Sequence, residues 1–425
     1  MELSLLYVLR NTPQSSTEDD WDYADADTKM HTHGFHTYPA MMIPQVARRL
    51  IHLYGQPGQT LLDPFCGSGT SLVEARLAGL NAYGIDLNPL AVLLARVKTT
   101  DLAEPLLREA LIEVIEAYRE GIRKSAVQVP RFFNVDYWFS PEVQRQLAHL
   151  REVVLAIEHQ QVREFMLVAF SHTVRKCSYT RKGEFKLYRL PESQLQNFHA
   201  DVLGTFMDKV ERNIEGMLQF SAEVKPHTRA RVLQSDTRLR QPMEAERIDL
   251  VVTSPPYGDS QTTVAYGQFS RLSLQWLGLP CEEAKSVDAR ALGGKVHQST
   301  AVPPYRSGAL EWALEQIASR DARRARQVQA FYDDFAHCLV EITRVCRTGA
   351  KACYVVGNRT VRGVRVPTDT ILREMAEPFG WRFVEQFERR IPNKRMPLQN
   401  SPSNVPGERA ETMTWEHIVV LEWVS

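Results

Sequence analysis

Apolar residues along this chain follow two alternating rhythms. Short apolar runs at 60–62, 82–85, 231–233, 248–253, 351–356 and 417–421 have the length and composition of buried strands. Between them apolar residues recur every three or four positions, as in Phe331, Phe335, Leu339, Ile342 and Val345, which describes one face of a helix. A helix over 43–54 precedes a strand, a helix over 71–78, a second strand and a helix over 89–98. That succession predicts an α/β fold on a mostly parallel sheet with helices on both faces. From 101 to 225 the strand signal lapses and helical spacing takes over, for example at Leu147, Leu150, Val154 and Ile157. We therefore expect a discontinuous domain, 1–100 with 226–425, carrying a largely helical insert at 101–225.

Composition narrows the class. The 425 residues are 44% hydrophobic and 24% charged, enough to bury a sizeable core, and no apolar run has the length of a membrane span. The opening run Met1 to Leu9 is short, carries Glu2 and lacks a basic start, so no secretory signal is expected. Six scattered cysteines without CxxC spacing read as reduced thiols of a cytoplasmic protein, with no metal site. Lys plus Arg equals Asp plus Glu at 51 each, so net charge neither points to a polyanion nor excludes one.

Candidate chemistry starts at Asp63-Pro64-Phe65-Cys66-Gly67-Ser68-Gly69-Thr70, between a strand and a helix. Its glycines allow a sharp turn and close approach to a ligand. A triphosphate loop would need a lysine before Thr70, a dinucleotide loop would want glycine at Leu72, and Asp63 would repel phosphate. A cationic ligand without phosphate suits the loop, and S-adenosylmethionine is one: Asp63 can face its ammonium and Asp86, ending the next strand, its ribose. Alone, a GxG turn is usually a plain connection; Asp63 before it and Asp86 after it make the difference.

The second signal is Ser254-Pro255-Pro256-Tyr257, which ends the strand over 248–253 because proline cannot donate to a ladder. An exocyclic base amine is a poor nucleophile, its lone pair being delocalised into the ring. The Ser254 hydroxyl and the Ser254 and Pro255 carbonyls are acceptors that can hold its two hydrogens and localise that lone pair, while Tyr257 stacks on a base swung out of the helix. On its own the tetrapeptide would be a rigid strand exit.

DPFCGSGT with the following YGIDLNP and SPPY resembles the motifs of the S-adenosylmethionine-dependent DNA amino-methyltransferases. The resemblance implies a Rossmann-like class I methyltransferase fold over roughly 30–100 and 230–425. By the same resemblance His36, Tyr38 and Pro39 help hold the methionine end of the cofactor, beside Phe65, Gly67, Gly69, Thr70 and Leu87, and Asp236 meets its adenine. Serine in first place is typical of the cytosine-N4 enzymes of that family and aspartate of the adenine-N6 enzymes. Cys281, in a loop and away from a strand, is not expected to serve as a carbon-5 nucleophile. The long insert departs from the family's usual arrangement, which bears on Asp236 and on the recognition region.

Double-stranded DNA is the expected partner, with a cognate restriction endonuclease beside it. Arg175, Lys176, Arg181, Lys182 and Lys186 interleave with aromatics, and Arg389, Arg390, Lys394 and Arg395 form a second basic run. The insert and the segment 258–330 both qualify as the recognition region. Adenine-N6 methylation, a tRNA guanine-N2 activity and a catalytically silent cofactor-binding regulator are the alternatives. The tRNA enzymes usually carry an N-terminal RNA-binding domain, for which the residues before His36 leave no room, and a silent regulator predicts damage at Asp63 or Ser254.

Overall fold

A computed structural model of the protein describes residues 20–124, 127–258, 264–279, 281–294, 301–391, 399–400, 410–411 and 413–424. The first half of the sheet is built from β1 (Thr60–Asp63), α2 (Thr70–Leu77), β2 (Asn81–Asp86) and α3 (Pro89–Lys98), after α1 (Pro44–Tyr54). Both proline-led helices use the residue whose missing N–H costs nothing in a first turn, and the Asn88 side chain caps α3 by accepting from Leu90 N. The helices α4 (Glu104–Lys124), α5 (Pro141–Leu155), α6 (Gln160–Cys177) and α7 (Val202–Glu223) follow.

The chain then returns through β3 (Ala230–Gln234) and β4 (Ile248–Thr253). Next come α8 (Tyr266–Trp276), α9 (Cys281–Arg290), α10 (Gly308–Ala318) and α11 (Ala322–Val345), then β5 (Cys346–Val356), α12 (Thr368–Ala376), β6 (Trp381–Arg390) and β7 (Trp415–Trp423). Cys281 thus opens a helix and does not lie in a loop: Glu282 and Glu283 sit in the first turn, where the helix dipole favours acidic side chains.

The seven-stranded sheet runs in the order β3-β2-β1-β4-β5-β7-β6. Strands β3, β2, β1, β4 and β5 are parallel, and β7 is antiparallel to both its neighbours. This is the Rossmann-like arrangement that the resemblance implies, with the strand order reversing between β1 and β4. Both faces are covered, which explains the continuous apolar runs. Leu61, Leu250, Val252, Cys353 and Val355 pack in the cluster that takes in Val46 and Leu50 of α1. Leu62, Val251, Ala352 and Tyr354 point the other way, into a cluster with Phe335, Leu339 and Ile342 of α11.

A third apolar cluster joins α4 to α7 with Leu90, Leu94 and Val97 of α3 and with Phe269 and Trp276 of α8. The helices of 101–225 therefore share one core with elements on either side of them in sequence. Among the described residues no helix is long and apolar enough to cross a membrane, and no group of three or more metal-ligating side chains comes together.

Candidate active site

In an open parallel sheet the loops at the carboxyl ends of the two strands flanking the reversal diverge and leave a crevice. Here those strands are β1 and β4, paired through Leu61 with Leu250 and Leu62 with Val251. The loop 63–70 and the tetrapeptide 254–257 are 190 positions apart at Asp63 and Thr253 but start side by side: Thr253 Oγ1 donates to Asp63 Oδ1 at 2.6 Å. Asp63 also accepts from Ser71 Oγ and, at 3.1 Å, from Phe65 N. One buried carboxylate thus pins the loop, the start of α2 and the entry to the tetrapeptide.

The loop is fastened to β2 as well. Cys66 N donates to Ile85 O at 3.0 Å, and Gly67 N to Asp86 Oδ2 at 2.9 Å. Asp86 Oδ1 accepts from Asn88 N at 2.7 Å. Gly67 takes φ +49, and a Cβ there would face the Tyr38 ring at 3.6 Å. Gly69 needs glycine for another reason: a Cβ would strike Ala95 of α3 at 2.8 Å, so this residue lets the loop lie on a helix and does not make room for a ligand.

Between these ends lies a cleft open to solvent. Tyr38, Pro39, Asp63, Phe65, Gly67 and Thr70 line it, with Asp86, Leu87 and Asp236 beyond them and Ser254 and Pro256 at the tetrapeptide side. His36, Gly69, Pro255 and Tyr257 are not part of the lining. Burial pushes the Asp63 and Asp86 carboxyls up to about 6, so both are ionised at neutral pH. Among the described lining residues there is no lysine or arginine. The lining therefore suits a ligand with positive charge and hydroxyls, and it sets no lysine or arginine against a phosphate.

His36 lies behind the wall of the cleft, buried. Burial lowers its pKa to about 3, so the ring is neutral, with Nδ1 2.6 Å from Thr37 O and Nε2 3.0 Å from Ser171 Oγ of α6. A neutral ring has one N–H; given to Thr37 O, it leaves Nε2 to accept from Ser171. The Tyr38 ring that follows stacks on Tyr266 at 5.9 Å, and its hydroxyl accepts from Asn88 Nδ2 at 3.0 Å. Asp236 is held by Arg238 at 2.6 Å, and Arg238 also reaches Asp334 at 2.8 Å, so the charge of Asp236 is already met within the protein.

Asn88, Tyr266 and Glu416 were not among the expected site residues. The Asn88-Pro89 pair is a helix-cap signal that could have drawn attention to Asn88. Glu416 carries no local signal, yet its Oε1 accepts from the Tyr257 hydroxyl at 2.8 Å across 159 positions of sequence. That hydroxyl lies 3.1 Å from Ser254 Oγ. Tyr257 is pushed well above the usual phenol range, first by burial and then by the Glu416 charge.

The basic residues divide. Lys176, Arg181, Lys182 and Lys186 are exposed, but Lys182 donates to Arg175 O at 2.8 Å and Arg181 pairs with Glu184 at 3.3 Å. Arg175 lies 3.8 Å over the Phe269 ring and donates to Phe269 O at 2.9 Å. Leu187 N donates to Gln268 Oε1 at 3.1 Å, so the basic loop of the insert packs on α8 of the segment 258–330. Arg389 is turned inward, 6% exposed, onto Glu416 and the Trp21 and Asp22 carbonyls, whereas Arg390 stacks on Trp415 at 4.9 Å. Lys394 and Arg395 lie outside the described residues.

A DNA methylase family model matches residues 8–96. The type II methyltransferase M.MvaI of Kocuria varians is 38% identical over 423 residues, which span 94% of this chain and 93% of that protein. The type II methyltransferase M.BsoBI of Geobacillus stearothermophilus is 22% identical over 419 residues, 85% of this chain and 81% of its own length. A tRNA (guanine(10)-N2)-dimethyltransferase of Methanothermobacter thermautotrophicus is 44% identical over 52 residues, only 12% of this chain and 16% of its own length.

Proposed function

Because the chain belongs to the DNA amino-methyltransferase family, we propose that this S-adenosylmethionine-dependent type II DNA methyltransferase acts on the exocyclic N4 of cytosine. The target base would leave double-stranded DNA for the space in front of Ser254. The observation that carries the reading is Ser254 itself: it lines the cleft at the exit of β4, one residue after the Thr253 that is bonded to Asp63. In the family the sequence resembles, serine at this position goes with cytosine and aspartate with adenine. The likeness to the tRNA enzyme is confined to 12% of the chain, whereas that to the type II DNA methyltransferase M.MvaI spans 94% of it, which supports DNA over RNA.

Asp63, Asp86, Tyr38 and the Gly67 backbone are the groups that would hold the cofactor, the two carboxylates facing its cationic and hydroxyl-bearing parts. When bound, S-adenosylmethionine supplies an electrophilic sulfonium methyl. The protein's own part is to accept the amine hydrogens at Ser254 Oγ and at the tetrapeptide carbonyls, so that the nitrogen lone pair is turned out of the ring. Tyr257 and the proline pair keep those acceptors fixed before the base arrives, which is where preorganised electrostatics act. No strong base is needed, since the methylated amine is acidic enough to release its proton to water.

The helices of 101–225 and the segment 258–330 meet at α8, and we assign DNA recognition to the surface they make together. The reading extends to a cognate restriction endonuclease whose cutting the methylation would block. Incubation of the protein with unmethylated DNA and labelled cofactor, followed by nucleoside separation, is expected to give N4-methylcytosine. N6-methyladenine would move the target to adenine, and label found only in tRNA would remove DNA as the substrate.

A further inference from the structure

Strands β6 and β7 pair Arg389 with Glu416 directly across the ladder. The two form an ion pair, with side chains 7% and 14% exposed. Glu416 Oε1 accepts from the Tyr257 hydroxyl at 2.8 Å, and that hydroxyl lies 3.1 Å from Ser254 Oγ. The distances alone leave open which hydroxyl donates in the last contact. The chemistry of the first contact decides it. A carboxylate paired with a guanidinium only accepts, so the single hydroxyl hydrogen of Tyr257 goes to Glu416. Tyr257 can then only accept from Ser254, whose own hydrogen is committed away from the cleft.

Building on the amine-methylation reading, we propose that Glu416, held by Arg389, is a positioning residue that acts through Tyr257 to present Ser254 Oγ to the cleft as a pure acceptor. An acceptor there is matched by the N4 amino group of cytosine and opposed by a carbonyl at the same ring position, as in thymine or uracil. The relay thus selects amino over keto bases as well as turning the amine for attack. Group transfer stays balanced: the nitrogen lone pair forms the bond to the methyl carbon, the carbon–sulfur pair stays on sulfur, and the ammonium proton goes to water. Glutamine at 416 would permit the opposite direction. Its amide can donate to the tyrosine oxygen, freeing tyrosine to donate to serine and serine to donate into the cleft.

The test compares full-length wild type with Glu416→Gln, Tyr257→Phe and the double variant, using DNA with cytosine or uracil at the methylated position. Single-turnover transfer, cofactor affinity and DNA affinity with S-adenosylhomocysteine bound are measured for each. Glu416→Gln is expected to slow transfer roughly 10- to 100-fold, the range for misdirecting a charge-assisted hydrogen bond. Cofactor affinity should stay within about twofold, because neither partner of the relay's far end lines the cofactor cleft, and the preference for cytosine over uracil DNA should shrink. In the Tyr257→Phe background Glu416→Gln should add nothing, since both remove one relay. Wild-type transfer rate and base preference in Glu416→Gln would overturn the proposal and leave amine methylation standing, as would simple additivity. Absence of any methylated base amine with wild type would remove both. Should Glu416→Gln lose cofactor affinity, Tyr257→Phe decides: unchanged transfer overturns the relay.

Discussion

The cleft at the ends of β1, β2 and β4 and the basic loop at 175–189 put charge to opposite uses. Asp63 and Asp86 are fixed by backbone and hydroxyl donors and line the cleft, where the proposed function has their charge meet the cofactor. Arg175 and Lys182 spend theirs at home, on a ring and on backbone carbonyls. The difference comes from topology. A residue one step beyond a parallel strand at the reversal of strand order has its direction dictated by the sheet. A residue in a connecting loop turns to whichever unsatisfied carbonyl lies nearest, and a charge run says little about where it will point.

Breaking the cleft side should have the largest effect. Ser254→Ala removes an acceptor from the reacting amine and is expected to slow single-turnover transfer by about 100-fold. Cofactor affinity, measured calorimetrically, should stay near wild type; unaltered turnover would count against the contact. Asp86→Asn keeps the shape and removes the charge, and should weaken cofactor binding roughly tenfold or more. The same charge has a pH signature. With both carboxyls near 6, protonation neutralises them below that value, so cofactor affinity should fall from pH 7 to pH 5, by up to about tenfold per unit for each group. In Asp86→Asn the slope should be shallower by one group; a flat profile in wild type would contradict the assignment.

On the loop side Arg175→Ala should act on stability, at about 1–3 kcal/mol in denaturant unfolding, because it strips a half-buried cation from Phe269 and leaves carbonyls unpaired. Lys176→Ala and Lys186→Ala should leave stability alone and lower the slope of log affinity for DNA against log salt by about 1 at most for each. Equal effects of Arg175 and Lys176 on DNA binding would erase the contrast between the two regions.

Much of the fold was legible because burial on both faces writes continuous apolar strands, and the runs at 60–62, 82–85 and 248–253 match β1, β2 and β4 to within about one residue at each end. The loop and the tetrapeptide were legible for the same reason, being strand exits with glycine and proline punctuation. Strand order was not, since nothing local says that β7 slips between β5 and β6. Glu416 was hidden because its role depends on that order: only the β6–β7 pairing brings it beside Arg389 and beneath Tyr257. Arg389 shows the converse. Its neighbours suggested a surface run, while the antiparallel register turned its side chain inward.

The chemistry proposed for Ser254 delivers a methyl group to an exocyclic nitrogen. The direct measurement is nuclear magnetic resonance of the product nucleoside, made from DNA with nitrogen-15 in the cytosine amino group and S-adenosylmethionine with carbon-13 in its methyl. A one-bond coupling between the new methyl carbon and the labelled nitrogen is the predicted result. A carbon-13 methyl on cytosine without that coupling, as at a ring carbon, would contradict the clamp at Ser254 and the chemistry built on it.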